Sequence, residues 1–212
     1  MTRTLLTRIS VLGVSLLALG STGCGDLVRQ GRGPSQVVIM SLVAASGADP
    51  ERLGGTLHSD VITNVTTTIN GTQTTVPTIF SDSGQVIMSL LLKDPGQPGI
   101  ASTPSAINQV TFTRYRVTYR RADGRNVPGV DVPHAFDGAL TFTVPADGTV
   151  TANFEIVRHI AKSEAPLRAL QGAAATISTI SEVTFYGRDQ AGNDVAASGS
   201  ILIDFGNFGD PS

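Results

Sequence analysis

The sequence is poor in cysteine, histidine and aromatic residues. One of its 212 residues is cysteine, three are histidine, none is tryptophan, and aromatic residues make up 5%. A lone cysteine excludes an internal disulfide framework and a zinc site built from several thiolates. The lack of tryptophan argues against a flat sugar-binding platform, although Tyr115, Tyr119 and Tyr186 supply three planar rings.

Charge is also scarce, and it is balanced. Charged residues make up 15% of the chain, and 15 basic against 17 acidic side chains give a net charge of −2. So small a balance indicates neither nucleic acid nor an anionic membrane surface as a partner. The hydrophobic fraction of 41% is enough for a core. Only Lys93 and Lys162 are lysine, and a composition rich in threonine and poor in lysine favours strands over helices.

The first residues have the pattern of an export signal. Arg3 and Arg8 precede an apolar stretch from Ile9 to Gly20. That stretch is shorter than the roughly 20 residues of a membrane-spanning helix, but it suits the apolar region of a signal peptide. We therefore predict a signal peptide over residues 1–23.

Two cleavage schemes account for Cys24. Cleavage after Ala18-Leu19-Gly20 would release a secreted chain with a free thiol near its start. Alternatively, the segment STGC at 21–24 resembles the lipobox of bacterial lipoproteins. That resemblance implies that Cys24 becomes the acylated first residue and anchors the chain in a membrane. Each buried acyl methylene contributes about 0.8 kcal/mol, so several chains give stable anchoring.

The residue after Cys24 bears on localisation. Lipoproteins of this class are held in the inner membrane by an aspartate at that position, which in this sequence is Gly25. The resemblance thus implies the cell envelope, and the outer membrane within it. Residues 24–35 contain three glycines and a proline and no periodic pattern, which predicts a flexible tether before a domain over 36–212.

From Gln36 onward, short apolar or alternating runs are separated by turn residues, a spacing typical of all-β domains. The runs at 36–43 and 85–92 are apolar on both faces, which predicts two central strands. Asn70-Gly71 predicts a tight hairpin within 64–76. In the strand from Val110, the apolar positions change from even to odd. Either a bulge near Thr113 and Arg114 or a passage between sheets would explain that change.

Three further elements complete the predicted fold. Residues 139–144 and 149–160 alternate cleanly and predict a hairpin through Ala146-Asp147-Gly148. A last hairpin turns at 190–193. Ser163, Pro166 and Gly172 are start and stop residues of one short helix, with Leu167 and Leu170 facing the core.

We therefore predict an all-β fold, an antiparallel immunoglobulin-like β-sandwich of about nine or ten strands with one short helix. The segments RYRVTYRRADGRNVPGV and EVTFYGRDQAGNDVAASGSI resemble immunoglobulin-like and fibronectin type III-like modules of bacterial surface proteins. The mature chain is also similar to bacterial envelope lipoproteins of this length. That likeness implies no particular activity.

Few residues are arranged for chemistry. No H-x-x-H, G-x-S-x-G or S-x-x-K motif is present. Asp131, His134 and Asp137 are ligand types that a metal could use, but a polar loop explains them equally. The segment RDQAGND at 188–194 resembles part of a calcium loop, although a turn fits it better. We predict no cofactor.

The only charge cluster is formed by arginines. Arg114, Arg116 and Arg120 share one strand face, which is either a solvated outer face or a patch for an anionic partner such as polysaccharide or lipid headgroups.

The expected function is that of a non-enzymatic, lipid-anchored envelope protein whose domain binds a partner or serves a structural role. The alternatives are a hydrolase with a site built from loops, and a filament or adhesin subunit that exchanges strands.

Overall fold

A computed structural model describes residues 33–94 and 96–209. The predicted signal peptide, Cys24 and tether residues 24–32 lie outside the described residues. Within them, no helix combines the length and hydropathy needed to cross a bilayer. The tether prediction extended to residue 35, but Ser35 already belongs to the first strand, where its hydroxyl donates to the carbonyl oxygen of Asn108 at 3.2 Å.

More than half of the described chain is strand. Ten strands have five or more residues, as predicted, and two more have two residues each. They are β1 Ser35–Ala45, β2 Thr56–Asp60, β3 Thr63–Ile69, β4 Thr72–Thr78, β5 Asp82–Leu92, β6 Gly96–Gln97, β7 Ile100–Ala101, β8 Val110–Arg120, β9 Phe136–Val144, β10 Thr149–Val157, β11 Ile177–Asp189 and β12 Asp194–Gly206. The helices are α1 His159–Lys162 and the 3₁₀ turns η1 Ala106–Asn108 and η2 Leu167–Leu170.

Two sheets pack into a sandwich. One has the order β1-β5-β10 and the other β2-β12-β11-β8-β9. All pairs are antiparallel except β2 with β12, which run parallel. The order corresponds to immunoglobulin strands A, B and E facing G, F, C and C′. The predicted immunoglobulin-like sandwich is therefore confirmed, with the β3–β4 hairpin inserted before the second strand of the smaller sheet.

Aromatic side chains fill the space between the sheets. Phe185 of β11 lies at their centre, with ring centroids 6.2 Å from Phe112 and 5.3 Å from Phe154. Tyr115 packs edge-on against Phe154 at 5.2 Å. Burying one such ring contributes about 1.5–3 kcal/mol, so this cluster is the main support of the sandwich.

The predicted bulge is present in β8. Its pairing with β9 shifts register between Phe112 and Arg114, and its pairing with β11 shifts at the same point. The extra residue, Thr113, reverses the alternation, so that Phe112 and Tyr115 both face the core. The arginines that follow are thereby turned outward.

The β3–β4 hairpin is also as predicted. Asn70 and Gly71 have φ values of 50° and 78°, the positive values that a two-residue hairpin turn requires. Strands β3 and β4 form a separate two-stranded sheet, and nearly all of their side chains are exposed or half-buried. The hairpin therefore protrudes from the sandwich.

The hairpin predicted between residues 139–144 and 149–160 is wrong. Strand β9 pairs with β8, whereas β10 pairs with β5 in the opposite sheet. The turn, in which Gly148 has a φ of 84°, carries the chain from one sheet to the other. The alternation itself was predicted correctly, because Val144, Ala152, Phe154 and Ile156 are buried.

The sequence predicted that the two apolar runs, in β1 and β5, are both central strands, and this is correct for one of them. Strand β5 lies between β1 and β10, but β1 is at the edge of its sheet. Its pairing with β5 shifts register between Ile39 and Ser41, and Met40 is 62% exposed there. The outer face of β1 thus carries apolar residues in contact with solvent.

The one short helix that the sequence predicted is present, but it lies before Ser163, and the predicted stretch after Ser163 contains only the 3₁₀ turn η2. Helix α1 ends at Lys162, and Ser163 is its C-terminal cap rather than the start of a helix. Pro166, which has no backbone N–H to donate, stands before η2. Leu167 and Leu170 face the core as predicted.

Candidate functional site

Exposed arginines of β8 lie on the outer face of the larger sheet. We call Arg114, Arg116, Arg120, Asp137 and Tyr186 the arginine face. The bulge at Thr113 sets the outward direction of the three arginines, and β9 and β11 bring the aspartate and the tyrosine beside them. The sequence predicted that the arginines share a face, and the structure confirms it.

Two of these arginines share one carboxylate. Arg114 Nη1 lies 3.3 Å from Asp137 Oδ1, and Arg116 Nη1 lies 2.7 Å from Asp137 Oδ2. Arg120 forms no ion pair within the described part of the chain, and Glu182 of β11 lies on the same outer face, so the three arginines exceed the acidic side chains by one charge. The guanidinium side chains of Arg114 and Arg116 are about half exposed, and ion pairs of this kind contribute only about 0–1 kcal/mol to stability. The charges remain accessible to a partner.

Tyr186 fixes the position of Arg114. The Arg114 guanidinium carbon lies 4.2 Å from the centroid of the tyrosine ring, which is a cation–π contact. An open groove of about 520 Å³ begins at this contact and runs toward Arg188, which binds Asp194 at 2.7 Å. The shallow groove presents two cations, the carboxylates of Asp189 and Asp194, hydroxyl groups and one ring, an arrangement suited to binding a polar molecule.

The predicted metal ligands are not brought together. Asp131 accepts the backbone N–H of Val127 at 3.1 Å, and Asp137 binds the arginines. His134 lines a cavity of about 130 Å³ with Arg158 and Glu164. Within residues 33–94 and 96–209, no group of three histidine, cysteine or acidic side chains is arranged to hold a metal ion.

The loop that resembles a calcium site is a turn held by Asp189. Its Oδ1 accepts the backbone N–H groups of Ala191 and Asn193 at 3.0 and 2.8 Å, and its Oδ2 accepts Asn193 Nδ2 at 2.7 Å. Asp194 is bound to Arg188. These carboxylates are used by the turn and by an ion pair.

A second open groove, of about 520 Å³, lies at the start of β2. His58, Arg52 and Phe208 line it, and the histidine ring stands edge-on to Phe208 at 5.5 Å. Asp60 at its wall is already engaged, because its carboxylate accepts Thr63 Oγ1 at 2.5 Å and the backbone N–H of Phe208 at 3.1 Å. His58 is also close to an acidic side chain, because its Nδ1 lies 3.6 Å from Asp204 Oδ2.

A buried charge network was missed at the sequence level. Lys162 of α1 and Asp82 of β5 form an ion pair of 2.7 Å with side chains 1% and 0% exposed. Ser59 Oγ donates to Asp82 Oδ2 at 2.6 Å. The only signal in the sequence was that Lys162 is one of two lysines, because the pair is separated by eighty positions.

Burial shifts the acidity of groups around this network. Desolvation raises the pKa of Asp82 above its usual 3.8, against the opposing effect of Lys162 and of three hydrogen bonds. Desolvation likewise raises the pKa of Tyr119, whose hydroxyl donates to the carbonyl oxygen of Ile156 at 2.7 Å. Both groups are enclosed in the core, and neither faces one of the two open grooves.

Comparison with known proteins does not assign the chain to a family. No protein-family model matches it, and no curated protein matches it. The candidate binding surfaces of this chain are therefore identified from the geometry of its own residues.

Proposed function

We propose that the chain is a non-enzymatic lipoprotein of a bacterial cell envelope, anchored through acylated Cys24, with the sandwich acting as a binding or structural module. The observation that carries the anchor is the sole cysteine at the end of the STGC segment, directly after the basic and apolar residues that predict an export signal. Gly25 after it favours the outer membrane. A tether of residues 24–34 would hold the first strand close to the lipid surface.

The arginine face supports a binding role for the module. It combines a net positive charge with a cation held over Tyr186 and an adjoining groove. An anionic envelope polysaccharide, or an acidic patch on an envelope protein, would meet complementary charge at this face. Nucleic acid is a poor candidate because the whole chain has a net charge of −2.

The hydrolase alternative has little geometric support. The cavity at His134 holds about 130 Å³, whereas ligand pockets usually span roughly 300–1,000 Å³. Arg158 closes one side of it by stacking on Phe136 at 4.1 Å. No serine, threonine or cysteine lines this cavity within the described residues, so it offers no nucleophile beside the histidine.

The filament or adhesin alternative is favoured by the hairpin. Residues 61–81, which include β3 and β4, contain no charged side chain, and within the described range the hairpin pairs with no third strand. Unprotected edges of this kind accept an added strand. Pro77 in β4 lacks an N–H and partly blocks one edge, which leaves β3 as the open one.

Metabolic labelling tests the anchor. Cells expressing the wild-type chain with a fatty-acid analogue should label the protein and retain it in membranes. The Cys24→Ser variant should carry no label. Equal labelling of both chains would contradict the proposal.

Binding to a defined polyanion tests the arginine face. Alginate, a polyuronate, is the probe, and neutral dextran is the control polymer. Arg120→Gln should weaken alginate binding by up to about fivefold, the value of one exposed charge pair. Arg125→Gln is the matched control, because Arg125 pairs with Asp123 in the loop beyond β8. Equal weakening of alginate binding by both variants would show that the arginine face is not the binding site.

A further inference from the structure

The buried pair of Lys162 and Asp82 is the most unusual chemical feature of the described chain. Lys162 Nζ lies 2.7 Å from Asp82 Oδ1, with both side chains shielded from water. An ion pair in such a place loses the hydration of both charges, and this cost often exceeds the attraction gained. Burial alone does not explain why a charged pair should be kept in the core.

Neighbouring groups form hydrogen bonds to specific atoms of the pair. The backbone N–H of Gly47 donates to Asp82 Oδ1 at 2.9 Å, and Ser59 Oγ donates to Oδ2 at 2.6 Å. Lys162 Nζ also donates to the carbonyl oxygen of Asp60 at 2.8 Å. Each carboxylate oxygen thus has its own donor, and the lysine nitrogen is held by two acceptors.

We propose that Lys162 and Asp82 condense within the folded chain to an amide, an internal isopeptide bond between Nζ and Cγ, with release of one water molecule. The reaction needs no oxidant, reductant or other reactant, because an amine and a carboxylic acid give an amide and water. The proposal concerns the sandwich alone and does not depend on the lipid anchor.

The first step is a proton transfer within the pair. Movement of one proton from Nζ to the carboxylate along the 2.7 Å hydrogen bond converts the ions into a neutral amine and a neutral acid. Burial favours these neutral forms, and the raised pKa of Asp82 has the same cause. The amine then holds the lone pair that can form the new bond.

The second step is attack of Nζ on Cγ. The negative charge that develops on Oδ2 faces the Ser59 hydroxyl, which acts as the oxyanion donor. Oδ1 already carries the proton of the first step, takes a second proton from the attacking nitrogen beside it, and leaves as water. One C–N bond forms and one C–O bond breaks.

The surroundings also suit the product. The single N–H of the amide remains directed at the carbonyl oxygen of Asp60, and the amide oxygen, Oδ2, still accepts the Ser59 hydroxyl. Both charges have disappeared, so their desolvation cost is removed. The bond would join the start of β5 to α1 and close residues 82–162 into a covalent loop.

Peptide mass spectrometry tests the bond on the full-length chain. The protein is first shown to be folded by a cooperative thermal transition, then denatured and digested with trypsin. The expected product joins peptide 53–93 to peptide 159–168, with the summed mass reduced by one water molecule. Cleavage after Lys162 should be lost. Separate peptides 53–93 and 159–162 from the folded protein would overturn the proposal.

Two variants identify the lysine involved. Lys162→Met should abolish the joined peptide completely. Lys93→Met, which replaces the other lysine, should keep the cross-link, now to peptide 53–114. A joined peptide that persists in Lys162→Met would assign the bond to other residues and contradict attack by the Lys162 nitrogen.

Discussion

Replacing Lys162 with methionine tests how strongly the buried network supports the fold. Methionine keeps much of the lysine stem but leaves the carboxylate of Asp82, whose side chain is fully buried, without its cation. Removing one partner of a buried ion pair costs about 3–5 kcal/mol, because the remaining charge is neither hydrated nor paired. Lys162→Met should therefore lower the free energy of unfolding by at least about 3 kcal/mol at neutral pH.

A second substitution separates the charge from the packing. Asp82→Asn, added to Lys162→Met, removes the buried charge but keeps an amide that can accept the Gly47 N–H and bond Ser59. The double variant should be clearly more stable than Lys162→Met alone. Urea denaturation followed by circular dichroism measures all three proteins, with the slope of the transition checked for two-state behaviour.

The pH dependence has a definite sign. Without Lys162, the pKa of Asp82 in the folded chain should rise further above 3.8, because the attraction and hydrogen bond that lowered it are gone. The folded state then binds the proton more tightly than the unfolded state, so stability is greatest below 3.8 and falls as pH rises through the folded pKa. The double variant should lack this fall. A loss below about 1 kcal/mol in Lys162→Met, or the same pH profile in both variants, would refute the reasoning.

Three further substitutions test the packing of the sandwich. Ser181→Ala should raise the free energy of unfolding by about 1 kcal/mol in urea titrations, because the buried Ser181 hydroxyl has no hydrogen-bond partner among the described residues; a loss of stability would show that it has one. Tyr119→Phe should lower the thermal midpoint, at a cost of about 1–2 kcal/mol, since the carbonyl oxygen of Ile156 loses its donor; an unchanged midpoint would speak against that hydrogen bond. Gly187→Ala should destabilise by about 1–3 kcal/mol, because the added methyl group would overlap the backbone of Thr111 at the bulge. Gly55→Ala, where nothing lies within 4 Å of the added carbon, is its near-neutral control.

The sequence predicted the features that depend on local pattern. The positive φ of Asn70-Gly71 follows from turn chemistry, and the bulge at Thr113 follows from the shift of apolar residues from even to odd positions. The outward position of Arg114, Arg116 and Arg120 follows from the same alternation. Each of these features depends on a few neighbouring residues and on one rule of strand geometry.

The features that depend on distant residues could not be predicted. A turn such as the one at Gly148 looks the same whether the next strand pairs with the last or crosses to the other sheet. The apolar residues of β1 do not reveal whether a neighbour covers its edge. The short helix ends where the sequence predicted its start, and Lys162 in its last turn contacts Asp82, a partner eighty positions away that no local pattern indicates.

The lipid anchor can be tested by mass spectrometry of the N-terminal peptide of the chain purified from the membranes of its native cells. We predict a mature protein whose first residue is Cys24, bearing a thioether-linked diacylglyceryl group and an acylated amino group. A first residue upstream of Cys24, or Cys24 with a free thiol, would contradict the anchor and identify a secreted, unanchored protein.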